Sequence, residues 1–101
     1  MEEQLLGNCM RLIITEGLTA NRVSDYTQKT EALFASDSRF DSVVLDLSST
    51  KNIDSDGVTF VIGLYKASEE HNKSFSVSGA SVDIMSLFRL MKLDQFFDLN
   101  E

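Results

Sequence analysis

Asn52-Ile53-Asp54-Ser55-Asp56-Gly57-Val58 places a hydroxyl, two carboxylates and a glycine between a β-branched apolar run and a long amphipathic one. A strand that hands over to a helix here leaves the helix's first backbone N–H groups unpaired and concentrates partial positive charge at them. Such a helix start can hold a phosphate, which makes Ser55 a candidate for reversible phosphorylation. The same residues have a plainer use, because Asp and Ser are both common helix caps. Spacing alone leaves both uses open.

Other chemistry is hard to assemble from this chain. His71 is the sole histidine, in the hydrophilic run Glu69-Glu70-His71-Asn72-Lys73. A Ser/His/Asp triad would need it beside Ser55, yet the intervening helix holds them about 20 Å apart. One histidine and one cysteine cannot build a Cys/His zinc cage, so no metal site is expected. No Gly-rich phosphate cradle of the nucleotide-binding kinds occurs, and no cofactor is expected. Asp46 and Asp54 sit near the ends of the central strand and could in principle do acid/base work. We read Asp46 instead as bonded to loop backbone and Asp54 as a helix cap. Cys9 reads as a small buried hydrophobe, and Met85 and Met91 as core filler on an apolar stripe. No enzymatic activity is expected.

The elements that must position the Asp-Ser-Asp-Gly turn follow from periodicity. Arg11-Leu12-Ile13-Ile14-Thr15 reads as a short strand, and Glu16-Gly17 turns away from it. Thr19 is a candidate cap for a first helix over 20–35, where Val23, Tyr26, Thr30, Leu33 and Phe34 share one face. Residues 36–41 form a polar connection. Ser42 to Leu47 is the clearest strand; it is apolar on both parities, which predicts a central strand covered on both faces. A second helix over 56–70 turns Val58, Val61, Ile62, Leu64 and Tyr65 inward. Ser74 to Ser78 alternates as a strand, Ser81 can cap a third helix carrying Ile84, Leu87, Phe88 and Met91, and residues 96–99 read as an optional final short edge strand. The pattern is β-α-β-α-β-α with an optional strand at either end: one α/β domain over 1–101, a single-layer mixed sheet of four to five strands with helices packed on it.

Composition narrows the function classes. The 101 residues are 43% hydrophobic and 25% charged, which suits one globular core. Net charge is −7 with no basic cluster, which argues against nucleic acid and against an anionic membrane surface. A basic or neutral protein partner fits better. The acidic start Met1-Glu2-Glu3-Gln4 lacks signal-peptide character, and no run approaches the ~20 apolar residues of a membrane span. With Cys9 as the only cysteine, no internal disulfide is possible, and a cytoplasmic location is expected.

Val43-Val44-Leu45-Asp46-Leu47, then Ile53-Asp54-Ser55-Asp56-Gly57, then an apolar helix, resembles the STAS domain family, named for sulphate transporters and anti-sigma factor antagonists. Gly17-Leu18 before the first helix and Phe88-Arg89-Leu90-Met91-Lys92-Leu93 near the end extend the resemblance over nearly the whole chain. The family's turn is Asp-Ser-Ser/Thr-Gly with the first Ser as phosphoacceptor. Ser55 matches that acceptor, Asp54 the acid before it and Gly57 the glycine. Asp56 stands where the family has a second hydroxyl, and Thr19 where an acid often follows the first Gly-x-Leu turn.

The resemblance implies an anti-sigma factor antagonist that docks, when Ser55 is unphosphorylated, on an anti-sigma factor that is also a serine kinase. A serine phosphatase would reset it. Asp54, Ser55, Asp56, Gly57, Val58, Thr59 and Thr19 are the partner-binding residues this implies. The alternative is a soluble STAS accessory subunit docked on the ATPase of a membrane transporter.

Overall fold

A computed structural model of the chain describes residues 1–36 and 39–100. The middle of the expected connection (37 and 38) and residue 101 of the expected domain span lie outside the described residues. Along the chain run β1 (Glu2–Leu6), β2 (Cys9–Ile13), α1 (Ala20–Ser36), β3 (Ser42–Asp46), α2 (Ser55–Glu70), β4 (Ser74–Ser78), α3 (Val82–Leu90), a 3₁₀ turn (Leu93–Gln95) and β5 (Asp98–Asn100).

The five strands form one sheet in the order β1-β2-β3-β4-β5. β1 and β2 are an antiparallel hairpin closed by Gly7-Asn8, with Gly7 at φ +60°, where a side chain would be strained. β2 through β5 are parallel. Each crossover carries a helix and moves one strand over in the same direction. Right-handed crossovers of that kind set all three helices on one side of the sheet.

The burial pattern agrees with that layering. Met10, Leu12, Val43, Leu45, Phe75 and Val77 point into the core, beneath Tyr26, Phe34, Val61, Leu64, Ile84 and Phe88 from the helices. The other parity of each strand stays partly open. This corrects the expectation that both faces of β3 are covered: Val44 is half-buried, in register with Arg11 and Ser76 on an open, largely polar face. One apolar residue on that parity gave a two-sided signal where only one side is packed.

Asp46 is buried at the carboxyl end of β3. Its carboxylate accepts from the Ser48 backbone N–H (2.9 Å) and from the Arg11 guanidinium (2.8 Å) across the open face. Burial alone would raise its pKa; the bonds to Ser48 and Arg11 outweigh that and hold it below the usual aspartate range. The expected loop-backbone role is therefore present, with an ion pair added.

Candidate functional site

The carboxyl ends of the parallel strands release three loops on one edge of the molecule, the usual place for function in an open α/β sheet. Two of these loops zip together. The Leu18 N–H donates to the Asn52 carbonyl (2.9 Å), and the Asp54 N–H donates back to the Leu18 carbonyl (3.1 Å), extending the β2–β3 pairing as a Leu18–Ile53 bridge. The loop before α2 is thereby fixed where Ser55 begins.

Asp54 joins the starts of two helices. One carboxylate oxygen accepts from the Gly57 N–H (3.0 Å), capping α2, and the other accepts from the Ala20 N–H (2.9 Å), at the first residue of α1. These backbone bonds, from Ala20 first and Gly57 next, lower its pKa, so it is an anion at neutral pH. Thr19, read as the α1 cap, donates its hydroxyl to Asn21 instead, while its carbonyl accepts from Arg22 and Val23. A side chain from the next loop has taken over the α1 cap, which no local pattern around Thr19 could reveal.

Ser55 is the first residue of α2 and is exposed. Asp54 already occupies the Gly57 N–H, so a phosphate on Ser55 would meet an anion and few free donors. It would add surface charge that the helix start does not neutralise. Asp56, in the first turn, and Thr59, whose hydroxyl bonds back to the Ser55 carbonyl (3.0 Å), are exposed beside it. Gly57 and Val58 are buried. A Cβ at Gly57 would lie 2.0 Å from the Leu18 carbonyl oxygen, so glycine is required by the loop crossing beneath it.

A groove of about 450 Å³ opens beside Ser55 between α2 and α3, walled by Val58, Ile62, Leu87 and Met91. Met85 is core as expected; Met91 is not. It is 43% exposed at the end of α3, next to Leu90 at 81%. Through Leu87 and Met91, α3 supplies an apolar wall to this groove; both share the helical spacing of Ile84 and Phe88, which is why periodicity alone places them in the core. Cys9 is half-buried on the open parity of β2, not fully packed away. His71 caps the far end of α2, away from Ser55. No cluster of metal-ligating side chains occurs among the described residues, and none of their helices is long and apolar enough to cross a membrane.

The family model described as "Mlab, STAS domain" matches residues 1–100. The chain belongs to the STAS family. Its fold is shared by solved STAS structures at low identity. An anti-sigma factor antagonist assignment from Thermotoga maritima is 13% identical at a TM-score of 0.90, over 99% of this chain and 85% of that one. The anti-sigma factor antagonist SpoIIAA, in its unphosphorylated form, is 13% identical at 0.81, over 97% and 85%. The STAS domain of a SulP transporter from Vibrio cholerae is 12% identical at 0.77, over 97% and 77%. No curated protein sequence matches the chain closely enough to count as a relative. This STAS chain has the five-stranded mixed sheet and three helices of these structures.

Proposed function

We propose that this STAS domain is a phosphorylation-switched protein-binding module of the anti-sigma factor antagonist kind. Its partner is an anti-sigma factor with serine kinase activity, and a phosphatase restores the unmodified form. The observation that carries this reading is the exposed Ser55 hydroxyl at the lip of an apolar groove, with Asp54 and Asp56 on either side. Apolar walls from Val58, Ile62, Leu87 and Met91 give a partner area to bury, and the hydroxyl lies where the partner must desolvate. Phosphorylation brings a charge of about −1.5 to −2 to that contact. Like charges forced together there cost several kcal/mol, enough to release a partner without refolding. ATP belongs to the kinase, and the module itself performs no reaction.

A second reading is an accessory subunit on the ATPase of a membrane transporter. The STAS domain of a SulP transporter among the structural neighbours is the observation that favours a transporter association. Both readings use the same docking face and differ in whether Ser55 is modified. Incubation with native cell extract and ATP, followed by intact-mass and peptide mass spectrometry, separates them. The switch predicts one added phosphate on Ser55, absent from Ser55→Ala. Phosphate on Thr50 or Thr59 with Ser55 unmodified refutes the site, and an unmodified chain bound to a membrane-extracted ATPase supports the transporter reading.

A further inference from the structure

A second groove, of about 530 Å³, runs between α1 and α2 on the other side of α2 from Met91. We infer that it is a second docking surface, meeting the Ser55 face at Asp56 and Thr59, for an amphipathic helix of a protein partner that carries a basic residue near each end. Ser55 phosphorylation plays no part in this inference.

The first support is Gly63. It sits in the interior of α2, where glycine is less favourable than alanine or almost any other residue. Nothing lies within 4 Å of the position its Cβ would take, so no contact inside the fold requires a glycine. This contrasts with Gly57, six residues earlier, which the Leu18 backbone demands. The use of Gly63 therefore lies outside the chain. It keeps the groove wall low, so that another backbone can approach closely.

The second support is shape and charge together. The floor is apolar, built from Val23, Phe34, Phe60 and Leu64. α1 and α2 run in the same direction, as crossover helices between parallel strands do. Asp56 therefore marks one end of the groove and Glu31 the other. The eleven helical steps of α2 from Asp56 to Ala67 make its length about 16 Å, or three helical turns. Neither carboxylate has a partner among the described residues, and no Lys or Arg lines the groove. The nearby cations Arg22 and Lys29 are engaged by Glu16 and Asp25. An apolar trough of three turns with an unpaired carboxylate at each end complements an apolar helix with a cation at each end. A second copy of this chain fits poorly, because its net charge is also −7.

The test titrates the ¹⁵N-labelled chain with a synthetic helical peptide of about four turns, bearing Ala and Leu on one face and a lysine near each end. A control peptide carries glutamate in place of both lysines. Saturable amide shifts at Ser24, Thr27, Gly63 and Ala67 are expected with the lysine peptide alone. Gly63→Leu fills the groove and should weaken binding roughly tenfold or more. Gly63→Ala, the milder change, should weaken it less while raising the thermal midpoint, which separates blocking from misfolding. Absence of shifts in the groove, equal binding by Gly63→Leu, or equal binding of the glutamate peptide would overturn the inference. So would self-association of the chain that Gly63→Leu abolishes, which would assign the groove to a second copy.

Discussion

Two glycines in one helix should respond in opposite directions to the same substitution. At Gly57, alanine would place its Cβ 2.0 Å from the Leu18 carbonyl oxygen and 2.9 Å from Ile53 Cγ1, where ordinary contact begins near 3.4 Å. About 1.4 Å must be gained against backbone that is itself tied to the Asp54 N–H at 3.1 Å. Overpacking of this kind costs ~1–3 kcal/mol and occasionally more, and with the Leu18 backbone as the nearest obstacle the upper end applies. The helix-propensity gain of about 1 kcal/mol offsets only part of it. We expect a net loss of about 2–3 kcal/mol, or roughly 10–20 °C in melting temperature for a domain of this size. At Gly63, where nothing lies within 4 Å, the same change should add up to about 1 kcal/mol and raise the melting temperature by roughly 4–8 °C. Urea unfolding followed by far-UV circular dichroism reads both. A Gly57→Ala protein within half a kcal/mol of wild type would mean that the Leu18 segment does not press on the first turn of α2. The cradle that presents Ser55 would then be wrongly described.

Three further outcomes follow from the same structure. Leu45→Ala, at a fully buried position, should cost ~2–5 kcal/mol in chemical denaturation, while Val44→Ala on the open face should cost less than about 1 kcal/mol; equal costs would contradict the one-sided sheet. Asp46 and Asp54 both titrate below the ordinary aspartate range, so the folded chain binds fewer protons than the unfolded one in that interval. Their stabilisation should be complete above about pH 4 and lost as pH falls through the lowered values, and Asp46→Asn should flatten that acid limb in a pH series of melting curves. Asp56→Ser removes a carboxylate from the first turn of α2 and should lower stability by ~0.3–1 kcal/mol, an effect that shrinks in high salt.

The central β-α-β of the fold was legible because its signals are local. Ser42–Asp46 is a short β-branched run, α2 begins within a residue of the expected start, and Ser81 caps α3 through the Ile84 N–H at 3.2 Å. β1 carried weaker signals, since all five of its residues are exposed and the hairpin rests on Gly7-Asn8 between Leu6 and Cys9. That pair is a usable hairpin signal. What the sequence hid depends on contacts between distant segments. Asp54 reaching Ala20 across 34 positions, Arg11 reaching Asp46 across 35, and the open parity of β3 are all set by the one-way strand order. The Asp54-Ser55 turn itself could be located from residue types alone. The apolar wall contributed by Leu87 and Met91 needed α3 to be placed beside α2.

The most direct test of the switch compares the chain carrying phosphoserine at position 55 with the unmodified chain for affinity to the partner captured from native extract. Titration calorimetry on the purified partner gives both values. A phosphate that meets Asp54, Asp56 and a desolvated partner surface should weaken binding by more than tenfold, the scale of one such contact. Equal affinity of the two forms would contradict the account, because Ser55 would then lie outside the surface on which the partner docks.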